Sequence, residues 1–145
     1  MQVENNTFVT SLNSSSFGSS IGKVQLSGAT PYRGRINNVG ASNHVYIQAT
    51  FQLRLESSST NPGAEVVFTR ETTYLWSGTT YDFYNYGYTS GSGTDKVITL
   101  SWMDESPATG TNNYYISGRK HDGNTTAYIK GDGFPFKMVL MEIQR

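Results

Sequence analysis

Residues 44–56 read His-Val-Tyr-Ile-Gln-Ala-Thr-Phe-Gln-Leu-Arg-Leu-Glu, and this stretch decides the fold class. Val45, Ile47, Ala49, Phe51, Leu53 and Leu55 fall on one side of an extended chain. Tyr46, Gln48, Thr50, Gln52, Arg54 and Glu56 fall on the other. Side chains alternate between the two faces of a strand, so this period of two marks a long strand with one buried and one wet face. A helix would scatter the same apolar residues around its surface.

Further strands are expected at 7–12, 21–26, 65–70 and 72–76 (which together read as one strand with a bend), 97–103, 114–119, 125–130 and 137–143. In 97–103 the inward set is Ile98, Leu100 and Trp102. Residues 27–43 carry Gly28, Pro31, Gly34, Asn37, Asn38 and Gly40 and read mostly as loop. Residues 104–112 also read as loop. Asp122-Gly123-Asn124 reads as a hairpin turn between the strands that flank it. In 137–143, Val139, Met141 and Ile143 alternate with Met138 and Leu140, so both faces of the closing strand are apolar. Such a strand is expected to be covered on both sides, inside the sandwich or by a neighbouring subunit. No segment shows a useful helical period. About eight strands, frequent turns and no internal repeats predict an all-β chain, a single antiparallel jelly-roll sandwich. The expected division is a flexible N-terminal arm at 1–20, rich in Asn and Ser, followed by the jelly roll at 21–145.

Composition narrows the function. The chain has 145 residues, enough for one domain with a real core. It has no cysteine, which removes disulfides and thiolate metal sites. Lys plus Arg and Asp plus Glu are both 11, so the basic surplus of a nucleic-acid binder is missing. No apolar run reaches the roughly 20 residues of a membrane-spanning helix. The first residues have neither the basic nor the apolar region of a signal peptide. Charged residues are 15% of the chain, against about 25% in ordinary globular proteins. Gly, Ser, Thr, Asn and Tyr take their place, as is common on chains that sit in assemblies or outside cells.

The chemistry-bearing residues do not converge. His44 and His121 lack donor neighbours at ligand spacing and read as surface residues. Asp104 and Glu105 are the only adjacent carboxylates, but neighbours on a strand point opposite ways, whereas a glycosidase needs two that face one bond. They read as turn-formers before Ser106-Pro107. Asp122-Gly123-Asn124 and Asp132 lack the later acidic positions of a calcium loop. No nucleophile elbow, phosphate loop or dinucleotide fingerprint occurs. No enzymatic activity, cofactor or metal is expected. Tyr81, Phe83, Tyr84, Tyr86 and Tyr88 form the sharpest recognition candidate, because tyrosine gives rigid amphipathic contact area. The competing explanation is a strand that lines a subunit interface or covers the sandwich, since aromatics also favour strands.

Ile98-Thr99-Leu100-Ser101-Trp102-Met103-Asp104-Glu105-Ser106-Pro107-Ala108-Thr109, then Asn113-Tyr114-Tyr115-Ile116, then the closing Met138-Val139-Leu140-Met141-Glu142-Ile143, resemble a known pattern. It is that of the C-terminal jelly-roll domain of virion surface proteins of tailed bacteriophages. The loop at 104–109 is one residue longer than the family's. The resemblance implies a sandwich like those of tumour necrosis factor and C1q, usually trimeric, displayed on the particle surface. It brings no catalytic residues. It makes Val139, Met141 and Ile143 candidates for the contact around a threefold axis.

The expected function is therefore a structural protein of the virion: a homotrimeric decoration or head-fibre protein docked on the major capsid protein or another virion protein. A receptor-binding tail-fibre tip that recognises a host surface glycan is the alternative. The absence of heptads or a shaft repeat favours decoration, with residues 1–20 as the arm that would contact the capsid. No nucleic-acid or membrane partner is expected.

Overall fold

The computed structural model describes residues 3–8, 15–16, 22–23, 33–57, 63–75, 81–84, 93–120, 125–130 and 136–145. These contain twelve strands and no helix: β1 (Val3–Phe8), β2 (Ser15–Ser16), β3 (Gly22–Lys23), β4 (Arg33–Val39), β5 (His44–Ser57), β6 (Gly63–Arg70), β7 (Thr73–Tyr74), β8 (Tyr81–Tyr84), β9 (Thr94–Asp104), β10 (Gly110–Lys120), β11 (Thr125–Lys130) and β12 (Phe136–Ile143). Every pairing is antiparallel.

The strands fill eight lateral positions. β12 pairs with residues 44–50 of β5, and β11 pairs with residues 52–57 along the same edge. β1 and β2 likewise follow one another beside β12 and β11. β4 and β3 share one edge of β10, and β7 and β8 share one edge of β6. Counted along the chain, one sheet runs first, eighth, third, sixth: β1 with β2, β12 with β11, β5, β9. The other runs second, seventh, fourth, fifth: β4 with β3, β10, β6, β7 with β8. Neighbours in space come from opposite ends of the chain, which is the order of a jelly roll. The expected fold class, an all-β antiparallel sandwich, holds.

The core lies between the sheets. Val45, Ile47, Ala49, Phe51, Leu53 and Leu55 of β5 are all fully buried. They meet Ala64, Val66 and Phe68 of β6 and Tyr114 and Ile116 of β10 in one cluster. Phe136, Met138 and Leu140 of β12 and Leu100 of β9 complete it, with Ile98 and Trp102 packed at its margin. Phe51 and Phe136 stack with ring centroids 6.3 Å apart.

Three expectations need correction. Residues 33–39 are a strand, not loop. Gly34 suits this position because a Cβ would lie 2.5 Å from Met138 Sδ, so any larger residue would force the Met138 side chain to move. The period of two breaks at Asn38, which takes a left-handed φ of 56°, and Ile36 and Val39 both still face inward. The register of β10 against β4 shifts between Gly110 and Asn112, where three steps on β4 oppose two on β10, so the extra residue lies on β4 and the alternation of β10 is kept. Second, β10 already begins at Gly110, inside the expected loop, and Gly110 takes a φ of 96°. Third, β10 and β11 are not a hairpin. β10 pairs with β6 and β11 with β5, so the chain changes sheets between them. Of the proposed arm at 1–20, Val3–Phe8 pairs with β12 and Ser15–Ser16 with β11. The remainder of 1–20 lies outside the described residues.

One polar contact locks the end of the sandwich. Glu142 alternates inward on β12 and is 9% exposed. Its Oε1 accepts from the Gly40 backbone N–H at 2.8 Å and from Asn43 Nδ2 at 2.7 Å, which pins the β4–β5 turn. The Gly40 hydrogen bond, and then that of Asn43, hold the carboxyl below its ordinary pKa of 4.5. A depressed folded pKa stabilises the protein above the unfolded value, and that stabilisation is lost as pH falls through the folded one. Urea midpoints of the wild type should exceed those of Glu142→Gln near neutral pH, and the gap should close on acidification below pH 4.5. A gap that does not change with pH would show that the carboxylate charge is not what holds the turn.

Candidate interaction face

The outward faces of the two sheets differ. On β6 and β10 the outward residues Val67, Thr69, Tyr115 and Ser117 are all buried, and Thr69 and Ser117 share a hydrogen bond of 3.0 Å. The outward face of the β5 sheet is open by contrast. Its residues on β5 and Val139, Met141 and Ile143 of β12 are half-buried, and Lys137 and the outward residues of β9 are exposed.

Register divides this open face into two ends. Tyr46 lies between Met141 of β12 and Met103 of β9. Gln48 lies between Val139 and Ser101, and His44 lies beside Ile143. Gln48 Nε2 donates to Tyr46 Oη at 3.4 Å, which is a weak contact. Val139, Met141 and Ile143 thus join Tyr46 and Met103 (37% exposed) in one contiguous patch. The far end is charged. Arg54 pairs with Asp95 at 3.3 Å and with Glu56 at 2.5 Å. Across the middle, Thr50 and Thr99 share a hydrogen bond of 3.1 Å.

The sequence predicted this arrangement in part. Val139, Met141 and Ile143 share the outer face, as the alternation implies, and each is half-buried in the single chain. Tyr46 is brought to them by pairing with Met141, and Met103 by pairing with Tyr46 on its other side, both long-range contacts that no local pattern reveals. Tyr81, Phe83 and Tyr84 are on β8, at the edge of the other sheet, so they do not join this patch by register. Their side chains, and all of Tyr86 and Tyr88, lie outside the described residues, as does His121. His44 is half-buried rather than fully at the surface, and its Nδ1 has no hydrogen-bond partner.

A second constellation escaped the sequence reading. Asp104 is buried at 6% exposure, while its neighbour Glu105 is exposed. The two therefore point apart, as expected, but Asp104 is not a mere turn-former. Its Oδ2 accepts from Arg70 Nη1 at 2.5 Å and from Tyr114 Oη at 2.8 Å. Arg70 and Tyr114 are cross-strand partners in the opposite sheet. Asp104 Oδ1 accepts from the Ser106 backbone N–H at 3.2 Å, and Arg70 Nη1 also donates to the Ser106 carbonyl at 2.6 Å. One carboxylate thus ties β9 of one sheet to β6 and β10 of the other. Burial, then the adjacent Asp104 charge, raises the Tyr114 phenol well above its ordinary pKa, so it stays a neutral donor. Among the described residues no group of three His, Cys, Asp or Glu side chains could hold a metal.

No protein family matches this chain, and no curated protein is significantly similar to it. Solved structures do share its shape. A dimeric latent PorU from Porphyromonas gingivalis superposes with a TM-score of 0.53 at 11% identity, over 98% of this chain and 13% of that one. At that identity the likeness speaks for the sandwich fold alone, and the chain spans only a small part of PorU. The VP2 subviral particle of infectious bursal disease virus gives a TM-score of 0.42 at 12% identity, over 99% of this chain and 37% of that one. The EclA C-terminal domain, a sugar-binding protein, gives 0.35 at 11% identity, over 97% and 79%. Likeness at these two lower scores carries no weight for function.

Proposed function

We propose that this chain is a structural protein of a virus particle surface, which assembles as a homotrimer through the open face of its β5 sheet. The observation that carries this reading is the patch of Val139, Met141 and Ile143, aligned by register with Tyr46 and Met103. Apolar residues gathered on one open face are the usual mark of a protein-binding surface. A trimer would bury that patch and leave the charged end around Arg54 at its rim. The resemblance of residues 97–143 to surface proteins of tailed bacteriophages supports the finer reading. The trimer would be a decoration or head-fibre protein docked on the major capsid protein, without catalytic activity. Val3–Phe8 and Ser15–Ser16 belong to the sandwich, so a separable arm at 1–20 plays no part in this reading. Electron microscopy of intact particles labelled with an antibody against the chain tests it. Label spread over the shell is the expected result. Label confined to the tail would instead favour a receptor-binding tip.

A further inference from the structure

A cleft of about 380 Å³ opens at the edge of the sandwich, where β9 ends in one sheet and β7 in the other. Among the described residues it is lined by Leu75, Trp102, Met103, Asp104, Glu105 and Ser106. That volume is at the lower end of the roughly 300–1,000 Å³ of small-molecule sites. The lining is divided in character. Leu75 and Trp102 are half-buried and packed against the core, so they give a fixed apolar wall. Asp104, Glu105 and Ser106 supply oxygens.

Carboxylates only accept hydrogen bonds, so a ligand here must donate them. The charge of Asp104 is already balanced by Arg70 inside the fold. Glu105 is exposed and remains available at the rim. The cleft therefore offers an aromatic surface beside acceptors, with only a small excess of negative charge. A pyranose matches that: its ring C–H groups lie against an indole while its hydroxyls donate to carboxylates. A basic side chain would also donate, but the Asp104–Arg70 pair removes much of the field that would select it.

We propose that this edge cleft is a saccharide-binding site, with Trp102 as the stacking platform and Glu105 as the principal acceptor. Asp104 is the positioning residue, because its contacts with Arg70 and with the Ser106 backbone fix the loop that carries Glu105. The site is separate from the proposed assembly face, with Met103 the one residue common to both, and it stands whether or not the chain forms trimers.

Incorporation of 5-fluorotryptophan tests this on the full chain. The sequence has two tryptophans, so two fluorine resonances are expected, and Trp76→Phe assigns them. The chain would be titrated with glucose, galactose, mannose, N-acetylglucosamine and lactose at low and high salt. At least one sugar should shift the Trp102 resonance saturably, with millimolar affinity that salt leaves unchanged. Glu105→Ala, an exposed change, should weaken that binding about tenfold, as expected for loss of a hydrogen bond to a charged group. If no sugar moves the Trp102 resonance of the folded chain, the proposal fails. It fails equally if Glu105→Ala binds as the wild type does, or if only lysine and arginine amides bind and salt abolishes the effect.

Discussion

Phe51→Ala is expected to destabilise the protein by ~4 kcal/mol, the largest effect of any single substitution considered. Phe51 is fully buried at the middle of the longest strand and stacks on Phe136. Truncation loses the transfer free energy of the ring and leaves a cavity. The site collapses poorly, because its neighbours along β5, Ala49 and Leu53, are fixed by pairing with both β9 and β12 or β11. Phe136 also loses its ring partner. At about 3 °C per kcal/mol for a domain of this size, the midpoint of thermal unfolding should fall by roughly 12 °C. Phe51→Leu keeps most of the volume and should cost about 1.5 kcal/mol or less. Equal losses for the two variants would mean that the centre of the core lies elsewhere. Calorimetry or urea unfolding followed by circular dichroism measures both.

The second large effect is expected from Asp104→Ala, at ~3 kcal/mol. This change leaves the buried Tyr114 hydroxyl without an acceptor and the Arg70 guanidinium without its carboxylate. The estimate sits at the low end of the range for broken buried pairs because Arg70 is 19% exposed and can turn toward water. Tyr114→Phe alone should cost about 1 kcal/mol, since it removes donor and desolvation together. Combined with Asp104→Ala it should cost little more than Asp104→Ala alone, because the orphaned hydroxyl is gone. A double-mutant cycle that is strictly additive would contradict the linkage of Asp104 to Tyr114.

The sheet layout was legible wherever one strand carries its own signal. β5 announces both its faces in thirteen residues, and β12 shows the second apolar face that becomes the open patch. β4 was not legible, because the features that build it look like loop features. Gly34 is there for the closeness of Met138, and Asn38 for a left-handed bulge that breaks the alternation. Both reasons lie in a partner strand far along the chain. The jump between sheets after β10 was hidden for a similar cause: a turn sequence does not state which edge the next strand will find. The Asp104 tie illustrates the same limit at the level of chemistry. Its partners Arg70 and Tyr114 become neighbours only once β6 and β10 pair. From sequence alone, Asp104 is seen only beside Glu105.

Self-association through the open β5 face is tested most directly by sedimentation equilibrium of the purified chain. The wild type should show three times the 16.0 kDa mass of the chain at micromolar concentration. Met141→Asp, on the outer side of β12, should give a folded chain of single mass, because it places an unpaired charge in the interface while leaving the core intact. A wild type that sediments as a monomer at every concentration, or a Met141→Asp variant that remains a trimer, would contradict the proposed assembly.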